Sequence, residues 1–276
     1  MLDAFAALTQ ALAYCGIVLS TGSVFVGLTL HPGPELWPSL RRLGQRGAWL
    51  TIGATLTSAA VLAARLGDAF DSSIVAIVLT SNVGAAAGLR VAGAVLLLLA
   101  PSSDDPFDRG MALSAAALVL ASFVFSGHAA AEAFGFGVLA GLHVGVVAWW
   151  LVALLAMRSA CRQADGPAEI VGRFSALAVR MIAILVVAGV ALLAALVEFE
   201  PFEFTAYARN LAIKLGLVAL VFALAAYNKF VLTSGVLSGD ADATAKLRRS
   251  LDIELAMLVL VLIATSVMTT YTSPHE

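Results

Sequence analysis

Residues 134–157 read FGFGVLAGLHVGVVAWWLVALLAM, a run with one histidine and no Asp, Glu, Lys or Arg. About 20 apolar residues at 1.5 Å each cross roughly 30 Å of hydrocarbon. Lipid offers no partner to a backbone N–H or C=O, so such a run must be a helix. Working outward from it, windows of the same kind recur at 4–30, 47–66, 82–100, 111–127, 171–197, 207–230 and 249–271. The chain of 276 residues is 61% hydrophobic and only 12% charged, roughly half the charged share of a soluble domain. Its hydropathy is too uniform for the weak alternation of a membrane barrel. The expected fold is all-α, a polytopic membrane bundle of about eight transmembrane helices. IVAIVLTS at 74–81 is either the first turns of the third span or an interfacial helix.

The first window opens with Asp3 instead of a basic stretch, runs past the length of a signal peptide, and puts Tyr14 where a lipoprotein signal needs a small residue, so it reads as a retained helix. Basic residues gather in alternate loops: Arg41, Arg42 and Arg46 within 31–46; Arg109; Arg158, Arg162 and Arg173 within 158–173; Lys229, Lys246, Arg248 and Arg249 within 229–249. The positive-inside rule places these in the cytoplasm and both termini outside, with the acidic run Glu198, Glu200 and Glu203 facing outward. The organisation expected is one integral membrane unit, with 1–157 carrying the histidine segments and 158–276 forming a second region.

A net charge of −2, with its loop basic residues gathered on one side except Arg65 and Arg209, implies no nucleic-acid partner. No phosphate-binding loop, dinucleotide fingerprint or hydrolytic triad is visible, so enzymatic activity is not expected. Cys15 in a span and Cys161 in an inner loop are too far apart for a disulfide in this topology. Gly137, Gly141 and Gly145, and likewise Gly84 and Gly88, have the spacing that lets membrane helices approach closely.

Charge inside a bilayer is expensive and tends to face partners or water. Arg90 and Lys214 are expected roughly 10 Å below the outer surface, Arg180 near the midplane, and Glu254 within about two turns of the inner surface, where it could pair with Arg180 or with Arg248 and Arg249. Structural pairs, snorkelling ends and a proton path all fit these positions. Two of the four histidines, His128 and His143, fall at the outer end of span four and about 14 Å down span five. On a helix His143 shares a face with Val147 and Trp150, about 160° from the glycine ridge, so it faces a cavity if the glycines face a packed helix. Imidazole and thioether are copper ligands, and imidazole pairs also hold haem. Met268 and His275 lie near the outer end of the last span. Cys15, Met181 and Met257 fall near the midplane on three spans, and Met157, Cys161 and His31 near the inner face, a possible relay of soft ligands. Six methionines are close to background for a chain of this length, and chance filling of an apolar bundle also accounts for them.

RFSALAVRMIAILVVAGVALLAAL (173–196), YARNLAIKLGLVALVFALAAYNKF (207–230) and LRRSLDIELAMLVLVLIATSVMTT (247–270) resemble the copper resistance D (CopD) family. The likeness rests on the RFS entry, on Lys214 within a helix, on Asn228 and Lys229 at its end, and on Arg248, Arg249, Ser250 and Glu254 opening the last helix. SGHA at 126–129 and LHVGVVAWW at 142–150 resemble the family's upstream histidine segments. The resemblance implies an inner-membrane, multi-pass protein of bacterial copper handling, paired with a periplasmic CopC-type copper carrier. It also implies inward movement of Cu(I) or Cu(II), with His128 and His143 as outward-facing ligands and Met268 and His275 as helpers. The acidic outer loop 198–206 offers hard oxygens instead of the Met- and His-rich loops of heavily copper-loaded members, which argues against high-capacity scavenging. Two other readings remain: a non-transporting partner that docks a copper carrier or assists copper-enzyme assembly, and a haem-b bundle with His128 and His143 as axial ligands.

Overall fold

A computed structural model describes residues 2–67, 71–100, 105–126, 134–163, 166–196 and 206–271. The elements are α1 (Leu2–Leu30), α2 (Trp37–Leu66), α3 (Ser72–Thr80), α4 (Asn82–Leu99), α5 (Pro106–Ala121) with a 3-10 turn at Ser122–Phe125, and α6 (Phe134–Ala160). They continue as α7 (Ala168–Leu196), α8 (Ala206–Tyr227), a π turn at Asn228–Leu232, α9 (Thr233–Leu237) and α10 (Ala241–Tyr271). Eight helical spans among the described residues are long and apolar enough to cross a membrane, with α8, the π turn and α9 forming one of them. This is a multi-pass membrane protein.

Helix ends follow local chemistry. Asp71 caps α3 by accepting from the Ser73 N–H at 2.8 Å, and Asp105 caps α5 by accepting from Phe107 at 2.8 Å with Pro106 at the first helical position. Extended backbone at Ser81 divides α3 from α4, so 74–81 belongs to a separate short helix and not to the first turns of the third span. Four helices start earlier than hydropathy suggests, at Trp37, Pro106, Ala168 and Ala241. Arg41, Arg42 and Arg46, with Lys246, Arg248 and Arg249, therefore sit on helix instead of in the loops 31–46 and 229–249. Charged side chains lower hydropathy without interrupting backbone hydrogen bonding, so a helix continues past the apolar window.

Small residues set the closest crossings. A Cβ on Gly16 would lie 2.6 Å from the Thr51 backbone N, and one on Gly47 would lie 2.5 Å from that of Ser20, so α1 and α2 meet backbone to backbone. Gly22 brings α1 equally near the Ala148 carbonyl of α6. Gly137 and Gly141 face the segment holding Leu120 and Val124, a packed seam as expected. The pair Gly84 and Gly88 forms no such seam: Gly84 abuts its own chain at Leu79, and Gly88 has nothing within 4 Å.

The principal core joins α1, α2, α6, α7, α9 and α10 around Trp149, Leu154, Val236 and Leu251, with Phe222 and Ala225 of α8 packed against it. Trp149 donates from Nε1 to Thr29 Oγ1 at 2.8 Å and stacks on Phe174 with ring centroids 5.2 Å apart, joining α1, α6 and α7. The ends that carry the arginines, called here the basic end, are tied by side chains. Arg173 donates to the Leu30 and His31 carbonyls at 2.8 and 2.9 Å, Arg158 pairs with Asp252, and Lys229 donates to the Ser175 carbonyl and hydroxyl, both at 2.7 Å. His31, exposed and at φ 44°, ends α1 in the left-handed conformation that glycine commonly supplies.

Candidate functional site

On α6 the two faces divide as the spacing predicts. The glycines turn toward α5 and its 3-10 turn, and His143 turns toward α7, where a Cβ on Gly189 would lie 3.2 Å from its Cε1 and 3.6 Å from its Nδ1. His143 is half-buried, and its Nδ1 is buried without a hydrogen-bond partner. Lys214, half-buried on α8, stands near enough to act on the ring electrostatically, and the Leu185 backbone lies beside it. Three helices thus converge on one intramembrane imidazole.

Two turns along the same face of α6, toward the basic end, Trp150 donates from its indole Nε1 to Glu254 Oε1 at 2.9 Å. Asn228 Nδ2 donates to Glu254 Oε2, also at 2.9 Å. Glu254 is 1% exposed. The π turn beginning at Asn228 carries this amide to the carboxylate, and such turns often mark functional positions. Expected pairing of Glu254 with Arg180 or with Arg248 and Arg249 does not occur. Arg180 lies exposed on α7 away from the packed face, Arg248 and Arg249 are exposed, and two neutral N–H donors hold the carboxylate instead.

Arg90 is 9% exposed and bonds to two hydroxyls, Nε to Ser122 Oγ at 3.0 Å and Nη2 to Ser126 Oγ at 2.7 Å, with its guanidinium 5.6 Å from the Phe123 ring centre. This fixes the chain two residues before His128. His128 itself, His275 and the acidic run Glu198, Glu200 and Glu203 lie outside the described residues.

Met268 is buried near the end of α10 remote from the basic loops, where Ser266 donates to the Ala7 carbonyl of α1 at 2.7 Å. Met181 packs against the principal core from α7, while Cys15 on α1 and Met257 on α10 are half-buried. Cys15 and Cys161 are free thiols. Among the described residues no group of three or more His, Cys, Asp or Glu stands ready to hold a metal. Residue spacing singled out His143 and Glu254 but not their partners; the tryptophan seven places from His143 was the available signal for Trp150.

The fold and this column of polar groups define a multi-pass membrane protein with a histidine and a carboxylate inside its span region. Two family models match the chain: Copper resistance protein D-like, N-terminal domain, over residues 1–138, and Copper resistance protein D over residues 168–268. The chain belongs to the copper resistance protein D family, which gives it a role in copper resistance and handling. No curated protein and no solved structure matches it.

Proposed function

We propose that this protein takes copper from the outer side of the inner membrane and moves it inward, with His143 as the first intramembrane ligand. The observation carrying the proposal is the His143 ring, directed away from the glycine seam and toward α7, with a buried Nδ1 that has only the Leu185 backbone beside it and no well-aligned hydrogen bond. A buried polar nitrogen without a partner calls for an explanation, a bound ion or water among them, and imidazole suits both Cu(I) and Cu(II). Family membership supplies the metal. The positive-inside rule supplies the orientation, placing the basic end in the cytoplasm and His143 in the outer half, and inward movement is what the family resemblance implies.

His128 follows Ser126, which Arg90 anchors, and is assigned as the outer receiving ligand, with Met268 and His275 as helpers at the same end. A periplasmic carrier of the CopC type is the proposed donor. Glu254 supplies a negative charge two turns further in. Its bonding supports a proton-coupled step: Asn228 donates to the ionised carboxylate, and rotation of the same amide would let its Oδ1 accept from the protonated form. The test is cell-associated copper, by elemental analysis at equal membrane levels. Wild type should raise it, and the His128→Ala/His143→Ala double variant should not. Equal copper in wild type and empty-vector cells would refute the transport reading.

A further inference from the structure

α7 packs on α6 and α9, and α8 packs on α10, so α7 and α8 do not close on each other along their length. Between them, in the basic half, lies a cavity of about 320 Å³, within the size range of small-molecule sites. Its walls include the rings of Trp150, Phe174 and Phe222. Its mouth is formed by the exposed side chains of Val179, Ala226 and Phe230, so it opens toward hydrocarbon.

The Trp150 N–H and one N–H of Asn228 Nδ2 are given to Glu254. Lys229, which also lines the cavity, directs its ammonium to Ser175. Two acceptors stand open beside them: the outstanding lone pairs of Glu254, and Asn228 Oδ1, which has no partner on a residue only 8% exposed. No Lys, Arg or His of the described residues forms an ion pair with Glu254. Aromatic rings beside an uncompensated carboxylate favour a cation. Cu(I) prefers soft donors, and the one thioether in the lining, Met157, stands two turns of α6 from Trp150.

We infer that this cavity binds a primary or secondary ammonium carried on an apolar body, entering from the bilayer between α7 and α8 and donating to Glu254 and Asn228 Oδ1. The ammonium belongs either to an aminophospholipid headgroup or to a free amphiphilic amine.

The test uses the full chain in phosphatidylcholine nanodiscs without copper, so its outcome is independent of the transport reading. 2-Phenylethylamine is titrated by calorimetry with empty discs subtracted, against 2-phenylethanol as the uncharged analogue of similar shape. The amine should bind saturably and at least tenfold more tightly than the alcohol. Glu254→Gln should weaken it at least tenfold, and Ala226→Trp, at the exposed rim, should block it with an unchanged melting temperature. Repeating the titration in discs containing phosphatidylethanolamine separates the sources. A weakened apparent affinity identifies the lipid headgroup as the occupant, and an unchanged one identifies the free amine. No saturable heat in phosphatidylcholine discs, equal affinity for the alcohol, or binding retained in both variants would overturn the inference.

Discussion

Adding a single methyl group at Gly189 isolates the role of His143. The new Cβ would lie 3.2 Å from Cε1 and 3.6 Å from Nδ1 of the ring, with no other atom within 4 Å. Ordinary carbon contacts fall at about 3.5–4.0 Å, so the imidazole must retreat by roughly 0.3–0.8 Å. The helix gains about 1 kcal/mol from Gly→Ala, and crowding against one movable ring costs about the same, so global stability should change by less than about 1 kcal/mol. A metal site is less forgiving: disturbing the residues that orient a ligand costs about 10–100-fold in affinity, and this small displacement belongs at the lower end, near tenfold. Purified protein would be titrated with Cu(I) in competition with a chromophoric chelator, and its melting followed in the same preparation. Gly189→Ala should weaken copper about tenfold at unchanged melting temperature, and His143→Ala should weaken it further. Copper affinity untouched by both variants would show that the ring's placement against α7 has nothing to do with metal.

Three further outcomes follow from local geometry. Burial pushes the Cys161 thiol up to about 11, with Arg248 pulling it down and Asp252 pushing it up. Only the thiolate reacts, so at pH 7.5 iodoacetamide should label Cys161, in a Cys15→Ala background, on the order of 100-fold more slowly than an ordinary thiol of pKa about 8.5. The rate should climb about tenfold per pH unit to at least pH 10, and a plateau by pH 9 would contradict the burial argument. Gly22→Ala, whose Cβ would stand 2.2 Å from the Ala148 carbonyl oxygen, should cost at least about 1–3 kcal/mol in SDS unfolding, whereas Gly88→Ala should be neutral or gain up to about 1 kcal/mol; equal effects would refute the assigned crossing. Glu254→Gln should melt within about 1 kcal/mol of wild type, because Gln can accept from Trp150 and donate to a rotated Asn228. Glu254→Leu orphans both N–H groups at about 1–3 kcal/mol each, and a leucine variant as stable as wild type would rule out the bonded carboxylate.

Hydropathy was enough to find the spans because only a helix satisfies its own backbone in lipid, and because the two faces of α6 differ by simple angular arithmetic. It was not enough at the helix ends, since an arginine-bearing turn such as that at Arg41 and Arg42 lowers hydropathy and still forms helix. Nor could it separate Gly88 from Gly141: both have the four-residue spacing, yet one faces open space and the other a neighbouring backbone. Partners of the buried charges were hidden for a related reason. Expecting Glu254 to find Arg180 treats charge as the only currency, and the structure gives it an indole and an amide. The π turn that aims Asn228 has no sequence signature. The small-residue seam of Gly16, Ser20 and Ser23 against Gly44, Gly47 and Thr51 was not picked out from the sequence, because residue size alone does not say which faces meet.

These packing differences bear on how such a protein could work. α1 and α6 are largely buried and locked by glycine crossings, whereas α7, α8 and α10 expose most of their surface. Elements with few buried contacts open at lower free energy than the rest of a fold, so α7 is the natural moving part and α1 with α6 the frame. The ties on α7 lie toward its basic end, where Arg173 bonds to the end of α1 and Ser175 receives Lys229. Toward the opposite end its packing includes Gly189 on His143, where a missing side chain leaves room for the ring and no well-aligned hydrogen bond holds Nδ1. A helix fastened at one end and lightly packed at the other can swing about its fastened end. That swing would uncover the imidazole first, while Glu254 stayed bonded nearer the basic end, so the ring could open without exposing the carboxylate.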